Sequence, residues 1–161
     1  MSGSARRVET TETTGIRVPP PLYYLAGLIA GLALELAFPI DGPPAWARMA
    51  AAAAGAAGFL LTGARAAGLF KRRVTPIIPF KPTTSLVTDG PYRFTRNPMY
   101  IGMACLYVAI ATATGLIWAL VLLPLVLVVV DRVVIAREEP YLERLFGGEY
   151  LDYKRRVRRW L

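Results

Sequence analysis

The sequence predicts an all-α polytopic membrane protein, with about four transmembrane helices followed by a C-terminal amphipathic cytoplasmic helix. Three observations carry the prediction. Of 161 residues 55% are hydrophobic, yet 19 Lys and Arg stand against 11 Asp and Glu, a net charge of +8. A soluble domain often has one of these traits, whereas a small membrane protein with basic flanks has both. Apolar runs recur four times along the chain, and the positive charges cluster in alternate gaps between them.

Residues 1–18 are rich in Ser, Thr, Glu and Arg without an apolar period, and read as a flexible cytoplasmic tail. No apolar core follows Arg6 and Arg7, as a secretory signal would require. Residues 19–161 then read as one membrane domain. Its runs cover 22–38, interrupted by Glu35; 49–64, Ala/Gly-rich between Arg48 and Arg65; 99–114; and 115–130, closed by Asp131 and Arg132. Each falls a little short of the roughly 20 residues that span a bilayer. Snorkelling Arg and interfacial Tyr, Trp and Phe supply the missing turn.

Topology follows from charge. Arg6, Arg7 and Arg17 precede the first run. Arg65, Lys71, Arg72, Arg73, Lys81, Arg93 and Arg96 fill the long middle connection, and Arg132, Arg137, Arg144 and a basic cluster from Lys154 to Arg159 follow the fourth run. The other two connections are short and nearly uncharged, so both termini and the middle loop are expected in the cytoplasm of a bacterial inner membrane. Gly27 with Gly31, and Ala52 with Ala56, are spaced for close helix packing. Pro124 is expected to kink the fourth helix without ending it. Glu35 lies near the end opposite the basic loops and reads as an interfacial carboxylate.

The chain has no His and one Cys, Cys105. That removes His acid–base catalysis, Ser–His and Cys–His triads, a His/Cys zinc set and any disulfide within the chain. Cys105 reads as a packing residue.

Two polar blocks hold the remaining chemistry. In the first, prolines between residues 76 and 91 favour extended backbone, and Asp89-Gly90-Pro91 signals a turn. Arg93 and Arg96 then stand at the mouth of the third run, with Asn97 at an N-cap and Pro98 at the first helical position. Exposed N–H groups at such a terminus suit a carboxylate. In the second, Glu138 and Glu139 sit where cations are expected, which points to a bound cation. Tyr141, Leu142, Leu145 and Phe146 form an apolar face ended by Gly147-Gly148. Tyr150, Tyr153, Val157 and Trp160 recur at helical spacing on a basic helix, the pattern of a segment lying on an anionic membrane surface rather than on nucleic acid.

Gly90-Pro-Tyr-Arg-Phe-Thr-Arg-Asn-Pro-Met-Tyr-Ile-Gly102, with Glu138-Glu139 and Phe146-Gly-Gly-Glu-Tyr-Leu-Asp-Tyr153, resembles the isoprenylcysteine carboxyl methyltransferase and phospholipid methyltransferase superfamily of integral membrane enzymes. The likeness spans about 75–160, the expected catalytic part. It implies an S-adenosyl-L-methionine-dependent methyltransferase acting by direct methyl displacement on a lipophilic acceptor drawn from the bilayer. It implies cofactor contacts from Thr84, Ser85, Leu86, Val87, Tyr92, Asn97, Pro98, Met99, Tyr100 and Glu138. Arg96, Tyr100 and Glu138 are expected at the chemistry, and Arg132 and Arg137 are the candidates for the acceptor. Asn97 and Thr84 stand where isoprenylcysteine enzymes carry His, which weakens the case for a prenylated cysteine as acceptor.

The cofactor's charges match the residues. Glu138, alone or with Glu139, would meet its ammonium; N–H groups around Asn97 to Met99 would meet its carboxylate; Tyr92 and Tyr100 would flank its sulfonium or adenine. In-line transfer needs alignment and water exclusion and no metal. Alternative readings are a phospholipid amine N-methyltransferase, a membrane reductase of related fold and a non-catalytic lipid-binding module. Oligomeric state is open.

Overall fold

The computed structural model describes residues 18–72 and 86–161, and every regular element among them is helical. The N-terminal tail, Thr84 and Ser85 lie outside the described residues. Helix α1 spans Pro21–Ala37. Helix α2, Ala45–Phe59, runs through a π turn at Leu60–Ala64 into α3, Arg65–Arg72. A 3₁₀ turn at Gly90–Arg93 leads to α4, Pro98–Thr114. Helix α5, Ile117–Val129, passes through a second π turn at Val130–Ile135 into α6, Ala136–Phe146, and α7 covers Gly148–Arg156.

Two of these helices are long and apolar enough to cross a membrane: 25 residues at Ala45–Leu69 and 30 at Ile117–Phe146. Helices α1 and α4 are apolar but only 17 residues each, about 26 Å of helix against a hydrocarbon core of about 30 Å. The fourth apolar run does not close at Asp131 and Arg132 as its sequence suggests. The π turn absorbs both charges, and one helical path continues to Phe146. Pro124 sits inside α5 without ending it, as expected.

Packing pairs α1 with α5 and α2 with α4. Contact is backbone-close at both interfaces: a Cβ on Gly31 would lie 2.6 Å from the Ala119 Cα, and one on Gly102 would lie 2.4 Å from the Gly63 Cα. The Gly27–Gly31 pair therefore acts within the chain, against α5. On α2 the expected Ala52–Ala56 pair is divided, since Ala52 is buried and Ala56 exposed; the approach to α4 is made by Gly55, Gly58 and Gly63. Gly115, at φ 78°, turns the chain between α4 and α5 in the left-handed region that favours glycine.

The main core joins Tyr24, Tyr100, Tyr107, Ala119, Val126, Val130, Val134 and Ile135. Its phenols are satisfied by backbone: Tyr107 donates to Ala119 O at 2.7 Å and Tyr24 to Tyr100 O at 3.0 Å. Outside, Leu36 is 78% exposed and Val121, Leu125 and Val128 are more than half exposed. Such a patch calls for an apolar surrounding. At the end of α1, Glu35 accepts from the Ile40 N–H at 3.0 Å and the Trp118 N–H at 3.3 Å. Its carboxylate ties the α1–α2 connection to the start of α5, in keeping with an interfacial role.

Candidate functional site

The start of α4, the start of α6 and the C-terminal segment meet at one end of the bundle. Asn97 holds the N-cap position of α4 but makes no side-chain cap. Its backbone carbonyl accepts from the Tyr100 and Ile101 N–H groups, while its Nδ2 donates to Arg159 O at 2.9 Å. Pro98 has no N–H to satisfy and is fully buried. The Met99 N–H is left without a partner in that turn among the described residues. The expected row of free amide groups is thus reduced to one.

The paired glutamates divide. Glu138 is half-buried and accepts a 2.7 Å hydrogen bond from the Tyr100 hydroxyl. Burial pushes its carboxyl from the ordinary 4.5 up to about 7, against the lowering effect of the Tyr100 bond. Among the described residues its second oxygen carries no donor. Glu139 turns the other way and is 6% exposed. It binds Arg96 Nη2 at 2.7 Å and Arg159 at 2.6 and 3.1 Å. Burial raises its pKa, but the hydrogen bonds and charges of Arg159 and Arg96 outweigh that and hold it low. Glu139 is a structural anion here, and Glu138 is the carboxylate that a ligand can use.

Arg96 is committed to the same network. Besides Glu139 it reaches Lys154 O and Val157 O at 3.0 and 2.8 Å, and its backbone N–H donates to Arg158 O at 2.9 Å. Thr95 Oγ1 donates to Arg159 O. Arg159 and Trp160 in turn bind Asp131, the indole Nε1 at 2.9 Å. Residues 154–160 are therefore strapped across the approach to α4, and the geometry gives Arg96 a positioning role. Arg93, its expected companion, is exposed.

A second cluster forms the wall beside Glu138. Val87, Tyr92, Tyr150, Tyr153 and Ala66 are buried together, with Leu86, Met99, Leu142, Phe146 and Val157 packed against them. Tyr153 donates to Tyr92 O at 2.7 Å. Burial raises the Tyr92 phenol first, and the nearby Tyr153 and Glu138 raise it further; burial likewise pushes Tyr150 up to about 12. These phenols stay neutral and offer donors and ring faces, not anions.

The expected membrane-surface helix is corrected by this cluster. Helix α7 ends at Arg156, Val157 is extended, and Tyr150 and Tyr153 face the protein. An aromatic stripe at helical spacing fits a protein wall as well as a lipid surface, and here it covers Tyr92. Of the expected residues, Leu86, Val87, Tyr92, Met99, Tyr100 and Glu138 come together. Asn97 and Arg96 turn to the strap, and Arg137 is exposed. Arg132 stands at the end of a separate apolar groove. The residue pattern gave Asp131 to a run boundary and Arg159 and Trp160 to a lipid-facing segment, and did not single out Thr95; all four belong to the strap network beside the site.

Glu138, Tyr100, Tyr92 and the start of α4 thus come together at one end of a helical bundle whose outer face is apolar. The profile of the family described as "Phospholipid methyltransferase" matches residues 48–149, and the chain belongs to that family. The match takes in α2 to the start of α7, and so both sides of the site. A protein of Haemophilus influenzae described as uncharacterized is 57% identical over 35 residues, 22% of this chain. The matched segment spans 56%, about half, of that relative's length. No solved structure matches the chain.

Proposed function

We propose that the protein is an integral membrane methyltransferase that uses S-adenosyl-L-methionine to methylate a lipophilic acceptor held in the bilayer. The observation that carries the reading is the half-buried Glu138 carboxylate, fixed by Tyr100 and with an oxygen open to a cation. Membership of a methyltransferase family supports it. So does the apolar outer surface, from which we read four spans with both termini and the middle loop cytoplasmic in a bacterial inner membrane.

The residues fit the cofactor. Glu138 would hold its ammonium, the Met99 N–H would meet its carboxylate, and Tyr92 and Tyr100 would lie against its sulfonium or adenine. Leu86 and Val87 would line the wall. When bound, S-adenosyl-L-methionine supplies a methyl group made electrophilic by the sulfonium. The chain's part is alignment: Tyr100 orients Glu138, the Arg96–Glu139–Arg159 ion pairs fix the start of α4, and α7 with the strap keeps water from the wall. The leading acceptor is an isoprenylcysteine-type carboxylate or a related lipid or thiol, which needs no proton removed.

A phospholipid amine is the second reading. The family's description favours it.

Calorimetric titration of the detergent-purified protein with S-adenosyl-L-methionine and its demethylated product tests the proposal. Micromolar binding that Glu138→Gln and Tyr100→Ala weaken sharply is the expected result. A folded wild-type protein that binds neither compound would overturn it.

A further inference from the structure

The helical path that carries Glu138 is irregular where it leaves α5. At Ala136 the backbone N–H reaches the Asp131 carbonyl, five residues back, where an α-helix would reach four. Asp131 stands on one side of that wide turn, and Glu138 and Glu139 on the other. Along an unbroken α-helix the Asp131 and Glu139 side chains would point about 80° apart. The extra residue of the π turn takes back about 100° and leaves the two within about 20° of one direction.

One guanidinium uses that alignment. Arg159 Nη1 meets both Asp131 oxygens at 3.3 Å, while its Nε and Nη2 meet Glu139 at 3.1 and 2.6 Å. The planar fork thus spans the π turn as a splint, between carboxylates that are both largely buried. Asp131 is steadied further by the Trp160 indole at 2.9 Å. The main chain of Arg159 serves the other half of the site: its carbonyl accepts from Thr95 Oγ1 and Asn97 Nδ2 at 3.1 and 2.9 Å, just ahead of Tyr100 on α4. Among the described residues the other cations do not bridge the turn. Arg96 and Lys154 pair with Glu139 alone of the two carboxylates, and Arg132 with Asp131 alone.

We propose that Arg159 is a positioning residue: by gripping Asp131 and Glu139 together it selects the π register at Val130–Ile135 and so keeps Glu138 against Tyr100. The π form is the rarer one in helices, and the grip is what favours it here. Without it the path relaxes to an α-helical register, in which Glu138 turns away from Tyr100. The inference rests on the methyltransferase reading only for the use made of Glu138.

Two measurements on the full-length protein in detergent test it. The first uses no ligand. Burial raises the Glu138 carboxyl to about 7, so at pH 5.5 it is protonated, and infrared difference against Glu138→Gln assigns its C=O band. Tyr100→Phe marks where that band lies without the Tyr100 hydrogen bond. Arg159→Gln should move the wild-type band to the Tyr100→Phe position. Arg159→Lys should move it too, since one ammonium cannot hold both carboxylates. Lys154→Gln, which removes a cation from Glu139 without touching the fork, should leave it in place. Should Arg159→Gln fail to fold, Asp131→Asn frees one arm of the fork while its amide oxygen still accepts the Trp160 indole, and should give the same shift.

The second is a double-substitution cycle on S-adenosyl-L-methionine binding. Arg159→Gln should weaken binding about tenfold alone and less than about twofold in the Glu138→Gln background, because its effect passes through Glu138. A residue that only stabilises the fold would cost the same in both. An unmoved band in Arg159→Gln, a band restored by Arg159→Lys or shifted by Lys154→Gln, or losses that simply add would overturn the proposal. A shifted band in protein that binds no S-adenosyl-L-methionine upholds the splint and sinks the methyltransferase reading; an unmoved band in protein that binds it does the reverse.

Discussion

If Glu138 holds the cofactor's ammonium as proposed, binding should depend on pH in a calculable way. Burial raises its carboxyl to about 7 in the unliganded protein. At pH 6 such a group is about nine-tenths protonated, at pH 7.5 about one quarter. Only the ionised form attracts an ammonium, and a bound ammonium would draw the pKa down. Binding at pH 6 should therefore release about 0.9 proton per site. The ligand's own α-amino group titrates near 7.7–8.0, so affinity should peak close to pH 7.5 and fall on both sides. Combining the two titrations, the dissociation constant at pH 6 should be about five- to sixfold that at pH 7.5, ~1 kcal/mol.

Calorimetry in buffers of different ionisation enthalpy measures both affinity and proton release. Glu138→Gln should weaken binding by about 10- to 150-fold, the worth of a charge-assisted hydrogen bond of ~1.5–3 kcal/mol. It should also flatten the acid limb while leaving the alkaline one, which belongs to the ligand. Wild-type binding that does not change between pH 6 and 7.5, or an acid limb that survives in Glu138→Gln, would refute the assignment of Glu138 to the ammonium.

Three further outcomes follow from the same contacts. Because the folded pKa of Glu138 is raised, its contribution to stability is present below the ordinary 4.5 and lost as pH rises through about 7; the unliganded protein should have a higher Tm at pH 5.5 than at pH 8, and Glu138→Gln should remove that part of the slope. Glu139→Gln leaves Arg96, with a side chain 9% exposed, facing no anion; thermal unfolding in detergent should register a loss of about 3 kcal/mol, the low end for a broken buried pair because Arg159 keeps solvent access. Gly102→Ala sets a Cβ 2.4 Å from the Gly63 Cα, so α2 and α4 must part, at about 1–3 kcal/mol; an unchanged Tm would mean the helices are not in backbone contact.

Much of the fold was legible because few arrangements satisfy four apolar runs with charges in alternate gaps. Pro98 after Asn97, Gly115 between two helices and Gly147 after Phe146 punctuate the chain where their backbone preferences require. The end of α5 was less legible. Asp131 and Arg132 look like a boundary, and nothing in residue type announces that a π turn will carry them through. Helix pairing was hidden for another reason: Ala52, Gly55, Ala56 and Gly58 all allow close approach, and only the direction of α4 decides which of them meet it. In the site, Tyr92, Tyr100 and Glu138 were readable from chemistry and resemblance. The strap was not, since Arg159 and Trp160 sit in a basic cluster whose default partner is lipid, and their real partners are 20 to 62 residues away in sequence.

The adjacent glutamates show how local geometry separates two tasks that the sequence writes side by side. Neighbouring residues on an α-helix point about 100° apart, so Glu138 and Glu139 cannot face one ligand together. Eight residues beyond the buried Val130, an uninterrupted α-helix would carry Glu138 about 80° away from the core stripe of Ala119, Val126 and Val130. The π turn at Val130–Ile135 takes an extra residue into its turn and recovers about that angle. Glu138 is thereby returned to the side of Tyr100, which itself belongs to the core. Glu139 falls on the next face, within reach of Arg96 and Arg159. One irregular turn thus assigns one carboxylate to Tyr100 and the other to the strap.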